Sequence, residues 1–244
     1  MIHDGQFAGT TRNRPSVNVY VDGLNLFRRK LSKHPECKWL DIEALAQRLL
    51  PEFEIARVQY FTAIIKAGPG ADVQSPQRQQ AYLRALATLP RTEIYLGKFR
   101  IDPRIMPLHP TQFHADGSVI FVKVKKMEEK GSDVNLASHA LIDAFRGEAD
   151  AYAILSNDSD LVTPMRMIRQ ELHAETILLS PMEAKRTSNE LKQTRPSIIR
   201  HISGDDLRAC QLPDTITDRH GSIRRPKQWV LNSEGPTNAE PSNQ

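Results

Sequence analysis

A chain of 244 residues, 39% hydrophobic and 25% charged, has room for one large domain or two small ones and an ordinary soluble composition. No run reaches the roughly 18 apolar residues of a membrane span, and the net charge of +4 is compatible with a nucleic-acid partner without establishing one. Cys37 and Cys210 stand far apart and outside any C-x-x-C, which argues against a disulfide framework or structural zinc and fits a reducing, cytoplasmic compartment; Asp4, in an N-terminus without an apolar core, argues against a secretory signal.

Residues 1–15 lack an apolar period and read as a flexible arm. Val17-Asn18-Val19-Tyr20-Val21 is a β-branched run, a first and central strand, closed by Asp22-Gly23. A carboxylate at such a strand end is costly to bury unless paired or metal-bound; a plain Asp-Gly turn is the simpler account, and Asn25 has the same double reading. Arg28-Arg29-Lys30 reads as a solvated helix face beside that end. Asp41 caps a helix carrying Ile42, Leu45 and Leu49, stopped by Pro51. A strand follows over 55–65, a loop with Gly68, Pro69 and Gly70, and a helix starting at Pro76 with Tyr82, Leu83, Leu86 and Leu89 inward. A third strand runs 93–99. Residues 100–117, with Pro103, Pro107 and Pro110, are expected to form a long loop.

Val119 to Val124 is another strand, and from Asp133 a helix shows the stripe Ala137, Ala140, Leu141, Ala144, Phe145. Asp133 projects from the inward side of its first turn, where a carboxylate wants a cation or a set of hydrogen bonds. Tyr152 to Leu155 is a buried strand running into Ser156-Asn157-Asp158-Ser159-Asp160, after which Leu161, Met165, Ile168 and Leu172 recur at helical spacing. Asp158 and Asp160 either face a divalent cation, or Asp160 or Ser159 merely caps the helix. Thr176–Leu179 is a strand, 181–194 a polar helix or loop, 197–202 a last strand and 205–209 a short helix. The domain is expected over 16–211. Residues 212–244 read as a basic, largely extended or disordered tail, in which Arg224, Arg225 and Lys227 precede Trp229. That patch either follows a nucleic-acid backbone or is an arm that Trp229 anchors on the domain.

Asp22, Asp133, Asp158 and Asp160 each fall at a strand end or helix start, and in a parallel sheet those ends share one edge, where ligands gather. Four carboxylates without a Cys or His cluster suit a hard cation such as Mg²⁺ or Mn²⁺. No G-x-x-x-x-G-K-[ST] or G-x-G-x-x-G is present, so neither a phosphate-binding P-loop nor a dinucleotide is indicated.

Three pieces, Val21-Asp22-Gly23-Leu24-Asn25-Leu26, Glu129-Lys130-Gly131-Ser132-Asp133-Val134-Asn135-Leu136-Ala137 and Ser156-Asn157-Asp158-Ser159-Asp160-Leu161, resemble the NYN domain family, a branch of the PIN-like nucleases, over about residues 16–180. The resemblance implies a three-layer α/β/α sandwich with a PIN-like, mostly parallel sheet and Mg²⁺- or Mn²⁺-dependent ribonuclease activity. It implies metal-ligand and catalytic roles for Asp22, Asp133, Asp158 and Asp160, with Asn25 near the substrate. The family often has Gly where this chain has Asn157. Lys130 contacts phosphate or is simply solvated. The expected partner is RNA, with Arg224, Arg225 and Lys227 on its backbone; neither a membrane nor a dinucleotide is expected, and a homo-oligomer stays open. The rivals are a non-catalytic RNA-binding or scaffold module and a phosphatase-type hydrolase. The latter wants Asp-x-Asp after the first strand, where Asp22 is followed by Gly23-Leu24.

Overall fold

The computed structural model describes residues 14–65 and 72–230; the expectations for residues 1–13, the loop segment 66–71 and residues 231–244 fall outside them. The frame is a seven-stranded sheet in the order β4-β3-β2-β1-β5-β6-β7. Its strands are β1 (Ser16–Asp22), β2 (Glu54–Ala63), β3 (Thr92–Pro107), β4 (Phe121–Lys130), β5 (Ala151–Leu155), β6 (Glu175–Ser180) and β7 (Ile198–His201). All neighbours pair in parallel except β3 with β4. This is the mostly parallel three-layer α/β arrangement expected from the alternating pattern.

β1 is buried on both faces, as a central parallel strand must be. Val17, Val19 and Val21 join the core on one side, with Ile42, Leu45 and Leu49 of α2 (Ile42–Leu49) and Leu83 and Leu86 of α3 (Ser75–Leu86). Tyr20 joins the other, with Leu136, Ala140 and Ala144 of α4 (Ser132–Arg146) and Met165 and Ile168 of α5 (Val162–Gln170). The two-residue alternation of the strand feeds both layers. Asp41 caps α2 by accepting from Ala44 N at 2.9 Å. On α4 the buried face is Leu136, Ala140 and Ala144, whereas Phe145, placed in the stripe by its spacing, is 73% exposed.

The chain leaves β1 for β2 and β3 on one side and later builds β5, β6 and β7 on the other. The strand order therefore reverses between β1 and β5, and a crevice opens there at the carboxyl ends. α4 is held across this point by a buried carboxylate. Asp143 accepts from Tyr20 Oη at 2.7 Å, from Gln59 Nε2 at 2.7 Å and from Arg57 Nη2 at 3.0 Å. The three donors come from β1 and β2, so α4 is tied to both strands at once. Arg57 also pairs with Glu148.

Two expectations need correction. Residues 100–107 are not loop: β3 runs on to Pro107 and pairs antiparallel with β4, from Lys98 opposite Lys130 to Pro107 opposite Phe121. Its pairing with β2 ends at Gly97, so beyond that point β3 has one partner and a proline can turn its missing N–H to the open side. The result is a two-stranded arm carrying Lys98, Arg104, Lys123 and Lys125. Residues 212–230 are likewise folded onto the domain. β8 (Thr215–Asp218) and β9 (Gly221–Arg224) form a hairpin, and Ile223 and Trp229 are buried in the first core. Trp39 Nε1 donates to Pro213 O at 2.8 Å, and Arg84 pairs with Asp218.

Asp143→Ala leaves three donors without their acceptor and costs roughly 3 kcal/mol. Tyr20→Phe removes one donor and costs about 1 kcal/mol. Urea unfolding of the two variants tests this; equal small losses would show that the Asp143 anchor is not what holds α4.

Candidate active site

Asp22 ends β1 and is 3% exposed. Its Oδ1 accepts from Asn25 N at 2.9 Å, capping α1 (Gly23–Leu26), and its Oδ2 accepts from Ser156 Oγ at 2.8 Å. Gly23 is needed at this turn because a Cβ there would lie 2.5 Å from Cζ of Tyr60. Asn25 stitches the two central strands together: its Oδ1 accepts from Asn157 N at 3.1 Å. Asn157, the position where the family resemblance leads one to expect Gly, uses its own side chain, accepting from Ser188 N at 2.8 Å.

Asp158 follows β5. Its Oδ1 accepts from Asp160 N at 3.2 Å, so it caps the short 3₁₀ turn Ser159–Leu161. The capping expected of Ser159 or Asp160 thus falls to Asp158 itself. Asp133 lies in the first turn of α4, whose cap is Gly131 at φ +100° with no side-chain cap bond. Asp133 is therefore not the cap; the helix start is served by Glu129, which accepts from Ser132 N at 3.0 Å.

Asp22, Asp133 and Asp158 line one cleft of about 520 Å³, outside the crevice between β1 and β5. Asp160 is exposed and does not line it, though its charge reaches Asp133. Asn25 and Lys130 line the cleft as well, Lys130 with its Nζ 3.3 Å from Glu128. Arg28 and Arg29, expected to be a solvated face, stand on its wall, as does Glu129. Arg224, Arg225 and Lys227 do not line it. Arg225 is engaged by its own domain, through Glu36 O, Gln211 and Asp214, while Arg224 and Lys227 are exposed. Glu129 and Ser156 join the site without having been expected there: Glu129 lies four residues before Asp133, and Ser156 is the first polar residue after the apolar run of β5.

The electrostatics are those of carboxylates crowded together. Burial, with the charges of Asp133 and Asp158, pushes the Asp22 carboxyl up to about 6, against the hydrogen bonds from Asn25 and Ser156. Asp133 is also raised, by burial first and then by Asp158, Glu129 and Asp160. Among the described residues no three His, Cys, Asp or Glu groups stand close enough to cage one ion. The cleft thus offers one or two carboxylates at a time, a donor set that suits Mg²⁺, which keeps several waters and shares its shell with phosphates.

A mostly parallel α/β/α sandwich with acidic side chains at its switch point is PIN-like in fold. Residues 16–201 match the NYN domain, and the chain belongs to the NYN domain family. It is 30% identical over 243 residues, 87% of this chain and 75% of the other, to the 6-hydroxy-3-succinoylpyridine 3-monooxygenase HspA of Pseudomonas putida (strain DSM 28022 / S16). A crystal structure of a protein of unknown function from Vibrio parahaemolyticus RIMD 2210633 aligns with a TM-score of 0.48 at 18% identity, covering 83% of this chain and 99% of that one. Among the described residues no helix is long and apolar enough to cross a membrane.

The raised Asp22 carboxyl makes metal-free stability depend on pH with a definite sign. Between its ordinary value of 3.8 and about 6 the folded chain binds more protons than the unfolded one. Its contribution is fully present below 3.8 and is lost as pH rises through about 6. The amplitude is on the order of 2–3 kcal/mol. In chelator, the melting temperature is expected to fall between pH 5 and pH 7, and Asp22→Asn to flatten that fall. An undiminished fall in the variant would assign the dependence to another group.

Proposed function

We propose that this protein is a divalent-metal-dependent ribonuclease that cuts RNA endonucleolytically. The observation that carries the reading is the meeting of Asp22, Asp133 and Asp158, from β1, α4 and the turn after β5, in one cleft walled by Arg28, Arg29 and Lys130. A bound Mg²⁺ or Mn²⁺ neutralises phosphate oxygens and acidifies a water. Asp22, Asp133 and Asp158 would share its shell with water and phosphate oxygens, one or two of them contacting it directly, with the exposed Asp160 adding negative charge nearby. Ser156 and the Asn25 amide orient Asp22. Arg28, Arg29 and Lys130 receive the phosphates on either side of the scissile one. The exposed Arg224 and Lys227 and the cations of the β3–β4 arm offer further phosphate contacts. The non-catalytic alternative shares the RNA partner and differs in leaving the RNA intact.

The Pseudomonas relative supports a second reading, hydroxylation of a substituted pyridine ring, through 30% identity spread over 87% of the chain. That reaction consumes dioxygen and two electrons from a reduced donor, so the same preparation is to be incubated with 6-hydroxy-3-succinoylpyridine, air and reduced nicotinamide. Ring hydroxylation there, without RNA cleavage, replaces the ribonuclease reading.

Asp133→Asn distinguishes a working site from an acidic surface. It removes a carboxylate that the cation needs and relieves repulsion in the empty cleft. Cleavage of a mixed-sequence RNA in Mn²⁺ is expected to fall at least a hundredfold, while the melting temperature in chelator holds or rises. Wild-type cleavage rates in the variant would take Asp133, and the proposed metal site with it, out of the chemistry. Arg224→Ala with Lys227→Ala is expected to flatten the dependence of RNA affinity on salt while leaving sequence preference alone.

A further inference from the structure

The β3–β4 arm has two faces of different character. Residues opposite one another in an antiparallel ladder project to the same side, and the register is unbroken from Lys98 opposite Lys130 to Pro107 opposite Phe121. One face therefore carries Arg100, Asp102, Lys126, Glu128 and Lys130. Its charges answer one another: Lys126 and Lys130 pair with Glu128, and Arg100 with Asp102 at 3.5 Å. Among the described residues every ion pair of the arm lies on this face.

The other face carries Ile101, Ile105, Phe121, Lys123, Lys125 and Met127. Its apolar side chains face water: Ile105 is 72% exposed, Phe121 57%, Ile101 43% and Met127 42%. Lys123 and Lys125 stand exposed among them. This face leads into the acidic cleft. Residues two apart share a side of a strand, so Ile101 lies on the same side of β3 as Tyr95 and Gly97. Tyr95 packs on the core beneath α4, and a Cβ at Gly97 would collide with the Glu129 carboxylate and lie 3.1 Å from Ser132 N, in the first turn of α4. Met127 and Glu129, where the face reaches its inner end on β4, line the cleft with Asp22, Asp133 and Asp158. At about 3.4 Å per residue, Lys125, Lys123 and Phe121 stand roughly 14, 20 and 27 Å out from Glu129.

We propose that this face of the arm is a binding strip for an unpaired stretch of the strand whose scissile phosphate occupies the cleft; that the strand is RNA rests on the ribonuclease reading. The lysines lie about 7 Å apart along β4, so they meet phosphates one or two nucleotides apart, since a splayed strand spaces them more widely than the roughly 3.4 Å per nucleotide of a duplex. The apolar side chains between and beside them receive base faces, which a duplex hides and an unstacked strand presents. The opposite face has its cations engaged with Glu128 and Asp102 and offers less to a polyanion. Charge also disfavours a second copy of this chain as the occupant, because a two-fold contact across a strip this narrow sets the lysines of one copy against those of the other.

The strip needs no metal, so binding is measured apart from cutting: the whole protein in chelator, by fluorescence anisotropy, with a labelled unstructured RNA and with the same sequence fully paired. The unpaired strand is expected to bind at least tenfold more tightly. Lys123→Ala with Lys125→Ala is expected to weaken it at least tenfold and to lower the slope of log affinity against log salt by about 1.4, at roughly 0.7 per single-strand phosphate contact. Phe121→Ala is expected to weaken it at least fivefold with the slope unchanged. Val122→Ala, next along β4 on the opposite face, is expected to leave both alone. In Mn²⁺ the losses are expected to appear in KM. Wild-type affinity and slope in the lysine variant, equal losses in Phe121→Ala and Val122→Ala, tighter binding of the duplex, or a dimer that Phe121→Ala dissociates without loss of RNA affinity overturns the proposal. Cleavage with wild-type KM in both the lysine and the Phe121 variants removes the strip and leaves the ribonuclease. The expected losses of affinity without cleavage in any metal leave the strip and remove the ribonuclease.

Discussion

The position of α4 on the sheet is the constraint from which the rest follows, and the Asp143 carboxylate sets it. Asp143 lies two to three helical turns beyond Asp133 on the same helix and takes donors from β1 and β2 simultaneously. A helix fixed at that point by three directed bonds cannot slide along the sheet without losing them. Its first turn is therefore delivered to the end of β1, where Asp22 waits. A purely apolar seam of Leu136, Ala140 and Ala144 would tolerate a shift far better, because dispersion contacts are individually weak and non-directional.

The same anchoring makes an unfavourable arrangement tolerable. Asp22 is buried near the charges of Asp133 and Asp158, which add to the effect of burial on its carboxyl. The surrounding fold must supply the free energy to keep them together, and a strained or repulsive cluster of this sort persists only where its scaffold over-determines it. Ser156 and Asn25 contribute by spanning from one central strand end to the other. Their hydrogen bonds hold the turns after β1 and β5 in register.

Two cavities of different character lie side by side: the polar cleft lined by Asp22, Asp133 and Asp158, and a small aromatic cavity lined by Tyr60, Tyr82 and Trp229. Leu24 lines both. Gly23, which has no side chain, admits the Tyr60 ring that walls the aromatic side.

What was legible in the sequence is what local physics writes there. β-branched and apolar runs marked β1, β2, β5 and β6, the Asp41 cap and Pro76 marked helix starts, and carboxylates at the ends of runs marked Asp22, Asp133 and Asp158. Each is a matter of a few neighbouring residues, so the mostly parallel three-layer fold and the acidic edge could be read before any coordinates. What needed the tertiary structure were relations between distant segments. The prolines of 100–107 looked like loop because nothing local says that β4 covers only one edge of β3. Arg225 reads in the sequence as one more cation of a basic patch, and only the fold brings Glu36, Gln211 and Asp214 to it. Asp160 and Asp158 are equivalent in sequence, and only the turn after β5 sends one into the cleft and leaves the other outside. The pocket beside it draws on Gly23, Tyr60, Tyr82 and Trp229, residues separated by more than two hundred positions, and their convergence is a product of packing, not of pattern.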